Sequence, residues 1–254
     1  MKIGVTGYTG RVGQLLVNEL LSGQWKTLEL AGGSAPDAST ADFFTTSDPE
    51  ELFYKADVAI DFSRPEATLK NAELAVKTGT KLVVGTTGLT SEDEEKLQQA
   101  AKDTAIVYAA NMSVGVNILL ALVEKAAASL GPESWDIEIF ESHHKHKVDA
   151  PSGTALAVGK AAAKGRGVEL DAVRAAPYDG ITGEREEGKI GFSVARGGDV
   201  VGEHTAFFYS EGERIELTHI ATNRALFAKG ALRAAQWVGD KPAGLYSMKD
   251  VLNL

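Results

Sequence analysis

Short apolar runs alternate with longer amphipathic segments over the first 110 residues of the chain. Runs of three or four apolar residues are typical of buried parallel strands, and the segments between them have the length and spacing of helices. We predict helices over residues 11–22, 65–78 and 91–102, and Pro65 suits the first turn of the second helix. The repeated strand–helix order predicts a doubly wound parallel sheet. The five predicted strands lie at residues 3–5, 28–31, 58–60, 82–84 and 105–107.

The pattern changes near residue 112. One amphipathic helix is predicted over residues 114–129, because apolar residues recur there on a single helical stripe. Strands then follow close together, which favours an open, antiparallel or mixed sheet and hence a second domain. A last helical pattern at about 223–238 can return to the first domain. The predicted strands of the second part lie at residues 135–139, 190–195, 200–209 and 213–221. We expect a first domain over residues 1–111, completed by 222–254, and a second over 112–221.

The composition is that of a globular chain long enough for two cores. Its 254 residues are 44% hydrophobic and 24% charged, which is ordinary for such proteins. The formal net charge of −9 argues against non-specific nucleic-acid binding. No apolar run approaches the ~20 residues that a membrane-spanning helix needs, and no secretory signal precedes the first strand, so we expect a cytoplasmic protein. The absence of cysteine excludes disulfides, thiolate catalysis and cysteine zinc sites.

Three glycines follow the first predicted strand with the spacing G-x-x-G-x-x-G, at Gly7, Gly10 and Gly13. Glycine permits a tight turn and lets backbone N–H groups approach a pyrophosphate at the positive end of a helix. Arg11, at the start of that helix, can add a phosphate contact. A purely structural turn would also use glycine. The position of the motif, after the first strand of a repeated β/α region, favours dinucleotide binding.

The end of the second predicted strand bears on the choice of cofactor. In dinucleotide-binding folds an acidic residue there holds the ribose hydroxyls, or an arginine accepts a 2′-phosphate. Here the strand runs into Gly33, Ser34 and Ala35, with neither an acid nor a base immediately at hand. The missing carboxylate removes a repulsion against NADPH, but no positive group replaces it. We therefore expect NADPH, NADH or both as cofactor.

Three further loops follow predicted parallel strands, at residues 61–65, 85–88 and 109–113. Ligands of open parallel sheets lie beyond the carboxyl ends of the strands. Gly85 and Thr87 offer backbone groups and a hydroxyl that can hold a nicotinamide carboxamide. Each loop alone could be an ordinary turn, but together they predict the floor of a cofactor site.

The segment from residue 141 to 155 concentrates the reactive side chains. Three of the five histidines fall within four residues, at His143, His144 and His146, interleaved with Lys145 and Lys147. A run of this kind is often no more than an exposed charged loop. A metal site is disfavoured because the two lysines would repel an ion and no cysteine is available, so we expect no metal.

A site that binds an anion and transfers a proton is the third interpretation, and the one that we favour. Histidine can donate a proton near neutral pH, and Lys147 supplies a point charge or a second acid. Residues 152–154 open the next helical pattern, where free backbone N–H groups can bind a carboxylate. His204 and His219 lie in strand-like runs, and we interpret them as structural.

Taken together, these motifs resemble the dihydrodipicolinate reductases (4-hydroxy-tetrahydrodipicolinate reductases) of the diaminopimelate route to lysine. The resemblance runs nearly end to end, and the signature H-H-x-x-K-x-D-A-P-S-G-T over residues 143–154 is highly specific. It implies a Rossmann-like doubly wound parallel sheet, a second α+β domain with an open mixed sheet, and a homotetramer built through the second domain. The other segments that carry it are residues 7–13, 61–65, 85–88, 111–117, 202–205 and 227–231.

The resemblance also implies an activity and the residues behind it. The enzyme would reduce 4-hydroxy-tetrahydrodipicolinate with NAD(P)H, by hydride transfer to the ring and proton donation from the histidine–lysine cluster. His143 and Lys147 are the implied catalytic residues, and which of them protonates the ring stays open. His144, Lys147, Gly153 and Thr154 would hold the two carboxylates of this small-molecule substrate. The implied cofactor contacts are Gly7, Tyr8, Thr9, Gly10, Arg11, Val12, Ser34, Gly85, Thr86, Thr87, Ala109, Ala110, Asn111 and Met112.

Two functions of other classes compete with this interpretation. A regulatory protein that senses NADP without turnover would not need His143 and Lys147. A dehydrogenase that oxidises an amino or hydroxy acid would instead be active with NAD(P)⁺ and an ordinary acid. The composition of residues 141–155 disfavours both.

Overall fold

The computed structural model describes residues 1–254, which divide into two compact units. The first unit contains residues 1–114 and 224–254, and the second contains residues 115–223. The strands are β1 (Lys2–Thr6), β2 (Glu29–Ser34), β3 (Thr45–Thr46), β4 (Val58–Asp61), β5 (Lys81–Val84), β6 (Ala105–Tyr108), β7 (Asp136–His143), β8 (Ile190–Arg196), β9 (Gly202–Ser210), β10 (Glu213–Ala221) and β11 (Gly244–Tyr246). The helices are α1 (Arg11–Leu21), α2 (Pro49–Phe53), α3 (Pro65–Thr78), α4 (Ser91–Ala100), α5 (Val114–Ser129), α6 (Gly153–Gly165), α7 (Leu170–Val173), α8 (Ala225–Val238) and α9 (Met248–Leu252).

The first unit is built on a seven-stranded sheet in the order β11-β6-β5-β4-β1-β2-β3. Every neighbouring pair of strands in this sheet is parallel. Parallel strands are covered by helices on both faces, which explains why all four residues of β4 are buried. The strand order spreads outward from β1 in both directions, so the predicted Rossmann-like, doubly wound sheet is confirmed.

Helices α1 and α8 pack on the largest core of the first unit. Leu16 of α1 and Leu232 of α8 are fully buried there with Ile3 and Val5 of β1. Fully burying an aliphatic side chain of this size stabilises the fold by ~1.5–3 kcal/mol. Because α8 lies in this core, the last helical pattern of the sequence does return to the first unit.

The second unit is built on a four-stranded sheet in the order β10-β9-β7-β8. Strands β7 and β8 are parallel and the other pairs are antiparallel, so the predicted mixed sheet is confirmed. Along β7 the residues alternate between buried and half-buried, with Ile137 and Ile139 in the core. They meet Leu119 and Val123 of α5 on the covered face of the sheet. Helix α5 is apolar but, like every other helix here, lacks the length and hydropathy to cross a bilayer.

Several short elements have no counterpart among the predictions. These are strands β3 and β11 and helices α2, α7 and α9, each of two to five residues. A segment this short spans too little of a helical or strand period for hydrophobic spacing to reveal it. Helix α4 also ends at Ala100 rather than at residue 102, and β9 covers Gly202–Ser210 rather than 200–209.

Candidate active site

The glycine turn after β1 has the geometry that its spacing predicts. Gly7 has a φ of +68°, in the left-handed region that favours glycine. A Cβ atom on Gly13 would lie 2.2 Å from the carbonyl oxygen of Gly7, so no larger residue allows α1 to start this close to the turn. Gly10 precedes the first residue of α1, and no side chain caps this helix. An uncapped helix start of this kind is suited to binding a phosphate group.

A cavity of about 790 Å³ opens beside the glycine turn, within the size range of small-molecule sites. Of the predicted cofactor contacts, Gly7, Thr9, Gly10 and Ser34 line it. The glycine turn, the uncapped helix and the nearby cations together fit the phosphates and ribose of a dinucleotide. Its walls also carry four charged residues that the sequence interpretation did not single out: Asp37, Arg64, Glu66 and Lys70.

Asp37 corrects one inference from the sequence. We expected neither an acid nor a base at the end of β2, and the strand does end at Ser34 without one. The chain then turns back, and the Asp37 carboxylate accepts a hydrogen bond of 2.9 Å from the Thr9 hydroxyl in the cavity wall. An acid is therefore present near the strand end, where it suits the ribose hydroxyls of a dinucleotide.

Two of the predicted cofactor contacts direct their side chains into the protein. Tyr8 is buried, and a Cβ atom on Gly33 would lie 2.6 Å from the ring of Tyr8. Val12 packs against the core of the first unit. A cofactor could reach Tyr8 only through its backbone, whereas Val12 is half-buried and Arg11 is exposed at the start of α1.

A buried carboxylate holds the loop that follows β4. Asp61 is fully buried and accepts hydrogen bonds from the hydroxyls of Thr6 at 2.7 Å and Thr68 at 2.5 Å. The N–H of Ser63 donates to the same carboxylate at 3.1 Å. The Asp61 carboxylate thereby joins four parts of the first unit at the carboxyl end of the sheet. They are β1, β4, α3 and the loop between β4 and α3.

The loop after β5 packs tightly against the loop after β4. A Cβ atom on Gly85 would lie 2.3 Å from the ring of Phe62, so this position needs glycine. Thr86 is buried, and its hydroxyl accepts the N–H of Ser63 at 3.1 Å. Thr87 is exposed. Of the two predicted threonines, Thr86 serves the packing of the loops and Thr87 keeps its side chain accessible.

The loop after β6 contains the last four predicted cofactor contacts. Ala110 is exposed and Ala109 is half-buried. The side chain of Asn111 accepts a hydrogen bond of 2.9 Å from the N–H of Ser113. Met112 is almost fully buried in the core of the first unit. Ala109, Ala110 and Asn111 therefore keep part of their surface exposed, whereas Met112 does not.

The histidine–lysine loop of the second unit joins the end of β7 to the start of α6. Ser152 is the N-cap residue of α6, and its hydroxyl accepts a hydrogen bond of 3.1 Å from the N–H of Ala155. The N–H of Ser152 donates to Glu141 at 2.8 Å. This overturns the expectation that Ser152 offers a free donor to a ligand. The candidates for a carboxylate contact at the helix start are then Gly153 and Thr154.

Glu141 lies at the centre of the site as a fully buried carboxylate. Arg196 of β8 donates to both of its oxygens at 2.8 Å, and the Nδ1 atom of His143 lies 2.6 Å from Oε2. Burial alone would raise the pKa of Glu141. The hydrogen bonds from Arg196, His143 and the N–H of Ser152 outweigh burial and hold that pKa below its ordinary value. Glu141 is consequently an anion at neutral pH.

A second histidine lies against the first. The rings of His143 and His204 meet edge to face with their centroids 5.1 Å apart. The Nε2 atom of His204 is 3.1 Å from the Ser152 hydroxyl. Burial, reinforced by the neighbouring His143, lowers the pKa of His204 to about 4, so its ring is neutral at physiological pH. His204 thus belongs to the site, which its strand-like sequence context did not reveal.

Lys147 brings a cation to the same loop. Its ammonium group forms an ion pair of 2.9 Å with Asp149 and is about one-fifth exposed. The hydrogen bond from Lys147 lowers the pKa of Asp149. The N–H of Lys147 donates to the carbonyl of His144, and the rings of His144 and His146 lie 6.2 Å apart. No group of three or more histidine, aspartate or glutamate side chains is arranged so that it could hold a metal ion.

Comparison with known proteins agrees with this architecture. A family model described as "Dihydrodipicolinate reductase, N-terminus" matches residues 1–112, and one described as "Dihydrodipicolinate reductase, C-terminus" matches residues 115–252. A protein of Cereibacter sphaeroides named 4-hydroxy-tetrahydrodipicolinate reductase is 50% identical over 264 residues, covering 99% of this chain and 98% of its own. One of the same name from Parvibaculum lavamentivorans is 50% identical over 269 residues, covering 100% and 98%.

A solved structure shares the fold. It is described as dipicolinate-bound dihydrodipicolinate reductase from Paenisporosarcina sp. TG-14, is 24% identical, covers 97% of both chains and superposes with a TM-score of 0.81. The fold and the two sites therefore define a Rossmann-type nicotinamide-dependent oxidoreductase with a second, mixed-sheet unit. More narrowly, the chain belongs to the dihydrodipicolinate reductase family.

Three residues of the second-unit site escaped the sequence interpretation as individual contributors. Glu141 was included only as the first member of a motif, His204 was interpreted as structural, and Arg196 was not mentioned. They come from three strands that are neighbours in space but up to 63 residues apart in sequence. The one available signal was the alternation along β7, which puts Glu141 and His143 on the same face.

Proposed function

We propose that the protein catalyses the NAD(P)H-dependent reduction of 4-hydroxy-tetrahydrodipicolinate to tetrahydrodipicolinate in diaminopimelate and lysine biosynthesis. Overall, loss of water removes the hydroxyl group together with one ring hydrogen, and a hydride and a proton are added to the ring. The observation that carries the proposal is full-length membership of the reductase family, together with an acid–base cluster around His143 at the start of α6.

The cavity of the first unit is the proposed cofactor site, and the cofactor supplies the hydride when it is bound. Gly7 and Gly10 would hold the phosphates at the start of α1, and Asp37 would face the ribose hydroxyls. In this assignment the first unit, residues 1–114 and 224–254, is the dinucleotide-binding domain.

The second unit is the proposed substrate domain. The two carboxylates would be held by Lys147, by His144, by the backbone N–H groups of Gly153 and Thr154, and by the Thr154 hydroxyl. The Lys147 cation and a helix start both attract anions, and the other groups can donate hydrogen bonds. His143 would supply the proton that enters the ring with the hydride. Lys147 would protonate the departing hydroxyl, while the ring releases one proton as the double bond forms. The ion pair with Asp149 orients Lys147 before the substrate binds.

The direct test is a spectrophotometric assay of NADPH and NADH oxidation. The substrate is the fresh condensation product of pyruvate and aspartate semialdehyde. We expect substrate-dependent oxidation in the wild type and a fall in kcat of about 100-fold or more in Lys147→Ala, because an acid and a carboxylate contact are lost together.

The control is binding of NADPH to Lys147→Ala, followed by fluorescence, which should be unchanged because the cofactor contacts lie in the first unit. Loss of cofactor binding would refute the assignment of Lys147 to the substrate. If wild-type protein bound a cofactor but oxidised neither NADPH nor NADH, the sensor function would replace the reductase. The ratio of the two oxidation rates gives the cofactor preference.

We also propose that the protein assembles as a homotetramer through the face of the second-unit sheet that no helix covers. That face carries Phe140, Phe207, Tyr209 and Ile220, of which Ile220 is 58% exposed. Phe207 and Tyr209 stack with their ring centroids 5.4 Å apart. Charged residues such as Glu138 and Glu216 lie between these apolar residues on the same face. A face that combines exposed aromatic and charged groups is suited to pairing with the same face of another subunit.

The proposed location is the cytoplasm, where the reduced nicotinamide pool and the amino-acid precursors of the reaction are made. Cell fractionation followed by the reductase assay tests it.

A further inference from the structure

We propose that Glu141 is a positioning residue for His143: its buried carboxylate holds the imidazole by Nδ1 and so presents Nε2 as the proton-carrying atom. The inference rests on the proposed reductase function. It adds to the two catalytic residues a third group that does not touch the substrate and acts through His143.

The contacts of Glu141 support this role. Its two oxygens receive hydrogen bonds from Arg196, from the N–H of Ser152 and from His143, and the side chain is fully buried. A neutral glutamine in its place could not accept from all of these donors, because its amide nitrogen is itself a donor. The carboxylate is therefore matched to three partners at once: the cation of β8, the cap of α6 and the ring of β7.

The ionised state of Glu141 sets the orientation of the His143 ring. A deprotonated carboxylate can only accept hydrogen bonds. Nδ1 of His143, which contacts Glu141, must therefore carry the hydrogen of this bond. The other ring nitrogen, Nε2, is then the one that exchanges a proton with a substrate. The same logic operates wherever a carboxylate orients a catalytic histidine.

Space at Nε2 is maintained by a glycine. A Cβ atom on Gly202, the first residue of β9, would lie 3.0 Å from Nε2 of His143. Any larger residue at position 202 would crowd the nitrogen that the carboxylate leaves for proton transfer. The two observations concern opposite ends of one ring, and both favour Nε2 as the working atom.

The groups around His143 come from every element that packs against it. The charged or titratable neighbours are Glu141 on β7, Arg196 on β8, His204 on β9, and Lys147 with Asp149 in the loop. His204 is neutral, Arg196 is neutralised by Glu141, and Lys147 is paired with Asp149. Glu141 is the ionised group in direct contact with the ring, with Oε2 2.6 Å from Nδ1.

The experiment compares Glu141→Gln, Arg196→Gln and the double variant that carries both. The single variants each leave a buried charge without its partner, which can lower the melting temperature. The double variant removes both charges, so it should recover much of the melting temperature. Each protein is assayed for kcat, KM and the pH dependence of kcat, and titrated with dipicolinate as a binding probe that does not turn over.

We expect kcat to fall about 10–100-fold in both Glu141→Gln and the double variant, with KM and dipicolinate affinity within about threefold of wild type. The alkaline limb of the kcat profile should move in both, because the imidazole has lost the carboxylate that holds it. Arg196→Gln should keep a kcat closer to wild type than Glu141→Gln, since Glu141 still contacts His143, and Glu141→Asp should restore part of kcat.

Full recovery of kcat in the double variant would overturn the proposal, because Glu141 would then act only as the partner of Arg196 in folding. An unchanged kcat and pH limb in Glu141→Gln would overturn it as well. Failure of the proposed function looks different: the wild type itself would then show no substrate-dependent oxidation.

Discussion

At the scale of single residues, two fully buried carboxylates organise the chain by different means. Asp61 is surrounded by threonine hydroxyls and a backbone N–H, which are neutral donors, and it fastens loops in the first unit. Glu141 has a guanidinium and an imidazole as partners. A buried charge is stabilised by a charged or strongly polar partner, and a partner such as an imidazole can also exchange a proton. Because of this difference in partners, only Glu141 is proposed to act in proton transfer.

His204 should make the stability of the fold depend on pH. Its pKa in the folded protein is about 4, against an ordinary value of 6.5. Between these two values the unfolded chain binds a proton that the folded protein refuses, so stability falls as the pH drops through this window. Between pH 7 and pH 4, the free energy of unfolding of the wild type should fall by about 1–3 kcal/mol more than that of His204→Gln.

Urea denaturation at a series of pH values measures the effect of His204. His146→Gln is the matched control, because His146 is exposed on the loop and does not lie in the core. A wild-type slope in His204→Gln would show that His204 does not resist protonation in the folded state.

At the scale of the elements, the start of helix α6 carries both structural contacts and the proposed contacts with the substrate carboxylates. Ser152 caps it, Glu141 holds the N–H of that cap residue, and the proposed carboxylate contacts form its first turn. The helix therefore starts at a position set by the same carboxylate that holds His143. The proposed proton donor and the proposed anion-binding turn are thereby held at a fixed distance from each other within the second unit.

Thr154 in the first turn of α6 tests the binding part of this arrangement. Thr154→Val keeps the shape of the side chain but removes the hydroxyl. A lost hydrogen bond to a charged group corresponds to a KM about 10–100-fold higher, with kcat nearly unchanged because the contact exists before and during the reaction. Steady-state kinetics measures both constants, and Thr182→Val, at an exposed loop position, is the control. A KM equal to that of the wild type would remove Thr154 from the substrate site.

The regular elements were largely predictable from the sequence, and the reason is their length. Helices α3 and α5 have the predicted bounds, residues 65–78 and 114–129, because several turns of consistent spacing define them. Strand β10 also agrees with the predicted 213–221. The short strand β11 lies at the edge of the sheet beside β6, and its three residues carry no periodic signal.

At the scale of the whole molecule, strand β10 and the uncovered sheet face bear on assembly. Residues along β10 are exposed or half-buried at every position, although the strand is fully paired with β9. An apolar residue such as Ile220 exposed on a regular strand is a feature of subunit interfaces. The proposed tetramer would cover this surface.

Phe207→Glu tests the assembly. A carboxylate in the centre of the uncovered face would be buried without a partner on association, so we expect a smaller molar mass by light scattering. The melting temperature can fall with the loss of subunit contacts, so circular dichroism should confirm retained secondary structure. Tyr54→Glu, at an exposed aromatic residue of the first unit, should leave the mass unchanged. An unchanged mass for Phe207→Glu would place the interface elsewhere or show a monomeric wild type.

The sequence by itself determined what depends on local spacing: the parallel α/β sheet, the glycine turn at residues 7–13, the mixed-sheet unit and the reactive loop that ends in Thr154. Hydrophobic periods and short motifs extend over a few turns of the chain, so they can be recognised from the sequence without knowledge of the fold. The tertiary structure decided what depends on distant residues meeting. Asp37 lies in the cavity wall, where it accepts a hydrogen bond from Thr9. Arg196 contacts Glu141, and His204 contacts His143, each from a neighbouring strand. Strand pairing over tens of residues sets those contacts, and no local pattern encodes it.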